Sequence, residues 1–312
     1  MDRNSDLIIT TTMHSSVIKK LINELNDSYV YVEKAHLMQK DICKRLKNKE
    51  YDGFTNGNKF AEKLTKDLQR ISKDKHLRVR YSLRLNSKKK SEVSDDKADD
   101  IRLMEKINYG FEKIECLTGN IGYINLRGFY DPEAGAKIVG AAMTFIMNTE
   151  ALIFDLRQNG GGNPGMVALI SSYLFGNKPI HLNSLYFRKE DKTDEFWTKP
   201  AVARKKYKKD VYVLTSSYTF SAAEEFCYNL KNLKRAKIIG EVTHGGANPG
   251  QVINLGNHFT AFLPTGRAIN PITQTNWDGL GIEPDVSVAK EKALQIAYEM
   301  ALKKAIKTIE NH

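Results

Sequence analysis

Ser221 has the most chemistry within reach. It stands in Thr219-Phe220-Ser221-Ala222-Ala223-Glu224, after the β-branched and aromatic segment Val211-Tyr212-Val213-Leu214 and before Ala222, Ala223, Phe226, Cys227 and Leu230 at helical spacing. The pattern predicts a strand, a sharp turn and a helix, with Ser221 at the helix N-terminus. Unpaired N–H groups and the helix dipole favour a developing negative charge there. Two readings fit: a nucleophile for acyl transfer, with the Ala222 N–H helping to hold the oxyanion, or an N-cap, since Ser221 with Glu224 three residues on has the form of a capping box. A second stretch, Gln158-Asn159-Gly160-Gly161-Gly162-Asn163-Pro164-Gly165, follows the apolar run 151–156. Glycines at the carboxyl end of a strand can turn backbone N–H groups inward. The run lacks the ending of a P-loop and the spacing of a dinucleotide fingerprint. Gly160 or Gly161 is therefore read as an oxyanion donor, facing Ser221 across the carboxyl ends of a parallel sheet.

A serine hydroxyl needs a base near neutral pH, and an imidazole oriented by a carboxylate is the natural one. Of the seven histidines, two have a supporting context. His76 opens the alternating stretch His76-Leu77-Arg78-Val79-Arg80-Tyr81, where a helical N-terminal part gives way to strands; its bland reading is a hydrogen-bonded polar residue at that junction. His244, the alternative base, lies among glycines in Thr243-His244-Gly245-Gly246 and reads equally well as an exposed residue.

The elements that must position these groups follow from periodicity. Val17, Ile18, Leu21, Ile22 and Leu25 form one apolar stripe, Ala35, Met38, Ile42 and Leu46 a second, and Phe60, Leu64, Leu68 and Ile71 a third, which predicts three helices before residue 75. Residues 86–100, rich in Ser, Lys and Asp, are expected to be an exposed mobile loop. Residues 111–117 and 121–126 read as a hairpin about Gly119-Asn120. Helices and strands then alternate, which predicts a largely parallel sheet covered by helices. A charged surface excursion is expected at 188–210 and an amphipathic last helix at 290–310. The division predicted is a helical unit, 1–75, and an α/β domain, 76–312, with the active crevice between them.

Composition narrows the function classes. The net charge is +11, but the lysines and arginines cluster at 88–90, 204–209 and the last helix, with no recognition helix or stacking aromatics beside them. No nucleic-acid partner is expected. Cys43, Cys116 and Cys227 show no metal-ligand spacing, and neither metal nor cofactor is expected. The N-terminal apolar patch Leu7-Ile8-Ile9 is too short for a signal peptide or a membrane span. A cytoplasmic protein is the default, a removed leader aside.

Four motifs in order carry a resemblance: Asp155-Leu156-Arg157-Gln158-Asn159-Gly160-Gly161-Gly162, Ser221-Ala222-Ala223-Glu224, Gly240-Glu241-Val242-Thr243-His244-Gly245-Gly246 and Gly279-Leu280-Gly281-Ile282-Glu283-Pro284-Asp285. With Asp74-Lys75-His76-Leu77-Arg78-Val79 and Asn276-Trp277-Asp278-Gly279, the chain resembles the tail-specific, or C-terminal-processing, serine peptidases, in the branch of the interphotoreceptor retinoid-binding protein modules and tricorn-type relatives. The resemblance implies a ClpP/crotonase-like sheet domain and a serine peptidase acting on peptides or unfolded protein segments. It implies His76 as base, Asp278 as its orienting acid and Glu224 as a residue arranging the site; Asp155 and Arg157 are expected to brace the sheet and the glycine loop. The lysine base of the processing branch is missing, Gly246 standing at its place, and too few residues separate His76 from the hairpin for a PDZ module. Phe129, Tyr130, Phe220 and Trp277 are expected to line the substrate cleft. The alternative the branch implies is a non-catalytic module for retinoid- or fatty-acid-like ligands.

Overall fold

The computed structural model describes residues 8–83, 101–203 and 205–310, so the loop expected at 86–100 lies outside them. The chain forms two compact units, and their division is not the one expected at residue 75. The first comprises the described residues of Met1–Ser91 together with Leu185–Thr193 and Asn248–Ala268; the second comprises Glu92–Ser184, Asp194–Ala247 and Ile269–His312. The reason for the correction is a hairpin late in the chain that supplies core to the N-terminal helices.

In the first unit the three expected helices are α1 (Thr11–Ser28), α2 (Val32–Lys47) and α3 (Gly57–Ser72), followed by β1 (Arg78–Tyr81). Thr10 and Asn56 cap α1 and α3 through their side-chain oxygens, satisfying N–H groups the helices cannot. The apolar stripes bury Val17, Leu21, Met38, Ile42, Phe60 and Leu64 completely. Their partner is the hairpin β9 (Gly250–Gly256) and β10 (Phe259–Pro264), which contributes Leu255, Phe259, Ala261 and Leu263 to the same core. The order β1-β10-β9 is antiparallel throughout, and Asn257 and His258 turn the hairpin with φ of 50° and 66°. Positive φ at two successive residues suits the twist of paired strands.

The second unit is built on a six-stranded sheet in the order β12-β8-β7-β4-β3-β2. Its strands are β2 (Phe111–Leu117), β3 (Ile121–Leu126), β4 (Ala151–Asp155), β7 (Asp210–Thr215), β8 (Ala236–Gly240) and β12 (Val286–Ser287). The first two form the expected antiparallel hairpin and every later neighbour is parallel. Period-two alternation divides the strand residues between two faces. Ile153, Tyr212, Leu214 and Ile239 meet Ala293, Ala297 and Ala301 of α7 (Lys290–Glu310), whose small side chains let the helix lie close. Phe154 packs edge-on to Phe226 of α6 (Ala222–Asn232) at 5.3 Å. Two further helices, α4 (Pro132–Phe145) and α5 (Pro164–Ser171), both begin with proline just after a capping Asp131 or Asn163.

The remaining strands, β5 (His181–Phe187), β6 (Lys192–Trp197) and β11 (Gly266–Ile269), form a sheet in the order β11-β5-β6. The region 188–210 is thus not wholly a surface excursion. Besides containing β6 it buries Tyr207, whose N–H donates to Tyr173 O, and Lys206, whose ammonium donates to the carbonyls of Ser172 and Pro200. Charge density misled here because a lysine stem is apolar and its head can be satisfied by carbonyls.

Candidate active site

Three loops leave the carboxyl ends of the adjacent parallel strands β4, β7 and β8, and all three meet around Ser221. The turn 216–220 is stitched to the loop after β4: Thr219 Oγ1 donates to Leu156 O at 2.9 Å, Ser216 Oγ to Arg157 O at 2.5 Å, and the Phe220 N–H to Asn159 O at 3.1 Å. Ser221 then precedes α6 with φ 57° and ψ −123°. An ordinary N-cap is extended, with φ well below zero. A non-glycine residue held at this strained angle belongs to the class of backbone outliers that gather at functional sites.

Glu224 holds that seat. It is wholly buried, and its carboxylate accepts four hydrogen bonds: from the Ser221 N–H at 2.8 Å, Thr243 Oγ1 at 2.5 Å, the Gly245 N–H at 2.6 Å and the Gly246 N–H at 2.9 Å. Burial pushes the Glu224 carboxyl up, while these bonds favour its charged form. Thr243 Oγ1 also accepts the Ile282 N–H at 2.8 Å. Glu224 therefore joins the Ser221 turn to the Thr243–Gly246 loop, and the Thr243 hydroxyl ties that loop to Ile282.

The glycine loop sits directly against the serine. A Cβ on Gly161, where φ is +97°, would lie 2.7 Å from Ser221 Cβ and 2.8 Å from the Ala222 nitrogen, so only glycine permits the approach. One expectation needs correction: the Gly161 N–H does not face outward as an oxyanion donor but donates to Asn159 Oδ1 at 2.9 Å. Asn159, fully buried, uses its other amide atom to donate to Leu126 O at 2.9 Å and so fixes the loop. Its side chain was not singled out in the sequence, where nothing local marks it as buried. Asp155 and Arg157 brace the strand end. The guanidinium holds the carboxylate at 2.6 and 2.9 Å and Tyr123 donates at 2.7 Å. Burial raises the Asp155 pKa, but the Arg157 and Tyr123 hydrogen bonds outweigh it and hold the group below the ordinary carboxylate range.

His244 lies in the unit that holds Ser221. Its N–H donates to Thr219 O at 2.9 Å, its ring stands edge-on to Phe220 at 5.0 Å, and Nδ1 is 3.2 Å from Ser217 O. The imidazole is solvent-exposed. His76 belongs to the first unit and is buried there, its ring 5.6 Å from Phe262 and its N–H donating to Asp74 Oδ1 at 3.0 Å. Asp74 is itself fully buried and also accepts from Asn248 Nδ2 at 2.9 Å and Tyr29 OH at 3.2 Å. Asp278, in the second unit, accepts the Ala247 N–H at 3.3 Å, beside the Gly246 that Glu224 holds.

The aromatic expectation divides. Phe220 and Tyr130 are half-buried, whereas Phe129 and Trp277 do not line an open cleft. Phe129 is core, 5.5 Å from Phe226, and Trp277 is clamped by Nε1 donating to Gly246 O at 2.9 Å. An open cavity of about 680 Å³ does adjoin the glycine loop, walled by Asn125, Arg127, Gln158, Ser216 and Tyr218. Among the described residues no group of three or more His, Cys, Asp or Glu side chains converges as a metal site requires. None of their helices is long and apolar enough to cross a membrane.

Similarity to known proteins identifies the family. The model of peptidase family S41 matches residues 120–288, and that of the N-terminal domain of this peptidase family in eukaryotic IRBP matches residues 1–112. The tail-specific protease of Haemophilus influenzae is 28% identical over 182 residues, which cover 57% of this chain and 25% of that one. The chain thus spans about a quarter of the length of this curated relative. Among solved structures, a proposed peptidase of Parabacteroides merdae superposes with a TM-score of 0.67 at 18% identity, covering 92% of this chain and 96% of that one. A lipoprotein of Streptococcus agalactiae gives 0.61 at 16% identity, covering 96% and 99%. At such identities the two show a shared fold.

Proposed function

We propose that this chain, which belongs to peptidase family S41, hydrolyses peptides or unstructured protein segments with Ser221 as nucleophile. The observation that carries the reading is the strained Ser221, positioned by Glu224 through its N–H and packed against Gly161. An N-cap alone has no use for that angle.

In this reading a histidine takes the Ser221 proton as Oγ attacks the peptide carbonyl. The negative charge that develops is held by the Ala222 N–H, which as the first residue of α6 has no acceptor within its helix, with Gly160 as the loop's contribution. The histidine returns the proton to the leaving amine, and water repeats the sequence to free the acid. His76 is proposed as the base and Asp278 as its orienting acid, with His244 as the rival base. Phe220 and Tyr130 offer apolar contact to the substrate.

Cleavage of denatured casein and of a mixed peptide library, read by mass spectrometry, tests the reading. Wild-type protein should cut; Ser221→Ala should not; His76→Ala should lose at least a hundredfold and His244→Ala much less. A Ser221→Ala protein that cuts at the wild-type rate overturns it. The second reading, a carrier of retinoid- or fatty-acid-like molecules, is favoured by the match of residues 1–112 to the domain found in eukaryotic IRBP. A folded wild-type protein that cuts nothing and binds retinol or oleate would establish it.

A further inference from the structure

The sheet of the second unit carries another concavity, of about 770 Å³, at the opposite ends of its strands from Ser221. Asp210 and Ala236, the first residues of β7 and β8, lie in its wall, so five to six residues of strand, roughly 15–20 Å, separate it from the candidate active site. Six cations converge on it from three elements and the turn between two of them. Lys231 comes from α6, Lys234 and Arg235 from the turn that follows, Lys237 from β8, and Lys303 and Lys304 from α7.

Among the described residues, two carboxylates line the hollow with them. Asp285 lies 3.4 Å from Lys231 and Asp210 lies 2.5 Å from Lys304. Lys234, Lys237 and Lys303 are exposed and, among the described residues, form no ion pair. Arg235 is held as a charge without a carboxylate, its guanidinium donating to the carbonyls of Leu174, Tyr207 and Lys209 at 2.6, 2.7 and 3.0 Å. The C-terminal dipole of α6 explains a preference for cations at 231 and 234. It does not explain why a strand and a separate helix bring three more lysines to the same hollow.

We propose that this hollow is a binding site for a small, multiply phosphorylated anion. Three unpaired ammonium groups around a concave floor match several closely spaced phosphate charges. A nucleic-acid strand fits less well, because the aromatic of the floor, Tyr212, is buried and offers no face for a base to stack on. The site lies outside the proposed peptidase machinery and does not depend on it.

Isothermal titration of the full chain with inorganic tripolyphosphate at low salt tests this. Micromolar binding is expected, weakened at least tenfold by about 0.3 M salt, which screens exposed charges. The charge reversal K234E/K237E/K303E should weaken it at least tenfold. K19E/K20E/K59E, which reverses exposed lysines of the first unit, changes net charge equally and should leave it within twofold. Binding unchanged in the first variant, weakened equally in both, or absent in the wild type overturns the proposal. A single-stranded oligonucleotide that binds more tightly than tripolyphosphate through the same three lysines overturns it in favour of a strand. Parallel titrations with a nucleoside triphosphate and with phosphoinositide vesicles identify the source of the phosphates, and lysine-dependent binding of either one supports the site.

Discussion

Glu224→Gln is the substitution whose cost follows most directly from the geometry. Each carboxylate oxygen accepts two donors, Thr243 Oγ1 and the Gly245 N–H on one side, the Ser221 and Gly246 N–H groups on the other. An amide keeps the shape but points its own N–H₂ at one of these pairs. If it faces Thr243, the hydroxyl can reverse and accept, and one buried N–H loses its acceptor; if it faces Ser221, two do. An orphaned buried donor costs about 1–3 kcal/mol, so Glu224→Gln, taking the orientation that orphans one donor, should lose roughly 1–3 kcal/mol. In a domain of this size that is a fall in Tm of about 2–12 °C. Glu224→Ala abandons all four donors and should approach the entire stability of an ordinary domain, about 5–15 kcal/mol. Urea unfolding followed by tryptophan fluorescence measures both, since Trp277 is clamped to Gly246 within the same network. Because Thr243 and Glu224 are in contact, a cycle with Thr243→Val should show coupling of about 0.5 kcal/mol or more. A Glu224→Gln protein within 0.5 kcal/mol of wild type, with no coupling to Thr243, would refute the view that this carboxylate binds the Ser221 turn to the loop after β8.

Other outcomes follow from the same site. Ser221→Gly should unfold about 1–2 kcal/mol later than Ser221→Ala in matched denaturant melts, since glycine alone is relieved at φ 57°; equal stabilities would mean the angle is not strained. Gly161→Ala drives a Cβ to within 2.7 Å of Phe220 O and Ser221 Cβ. It should cost at least about 2 kcal/mol and at least a hundredfold in peptide cleavage, and thermal melts with cleavage assays check both. Glu225, one residue after Glu224, is pushed up to about 8 by burial, partly offset by Asn183 and Asn229. Its protonated form stabilises the fold fully below the ordinary carboxyl pKa of 4.5, and that stabilisation is lost as pH rises to about 8. Glu225→Gln, which mimics the neutral acid, should match wild type at pH 5 and exceed it by a few kcal/mol at pH 8.5 in urea melts; a constant difference across that range would contradict the assignment.

How far these features are legible in sequence depends on how local their physics is. The α1, α2 and α3 stripes, the 111–126 hairpin and the strand-turn-helix around Ser221 depend on periodicity and turn chemistry within a dozen residues, and they stand where the sequence places them. The unit boundary does not, because it depends on β9 and β10 burying Leu255 and Phe259 against helices some two hundred residues earlier in the chain. The same holds within the site. Glycine at 161 reads from its neighbours, but the capture of its N–H by Asn159 depends on a side-chain rotamer. Trp277 as a candidate cleft residue had the right chemistry, and only its bond to Gly246 O shows the ring turned into the protein.

Ser221 is proposed to be an activated nucleophile. A fluorophosphonate probe incubated with the folded protein near neutral pH, followed by intact mass and peptide mapping, tests it most directly. One adduct per chain on Ser221, lost in Ser221→Ala and slowed at least a hundredfold in His76→Ala, is the predicted result. A folded wild-type protein that stays unlabelled, or carries its adduct on another residue, would contradict it.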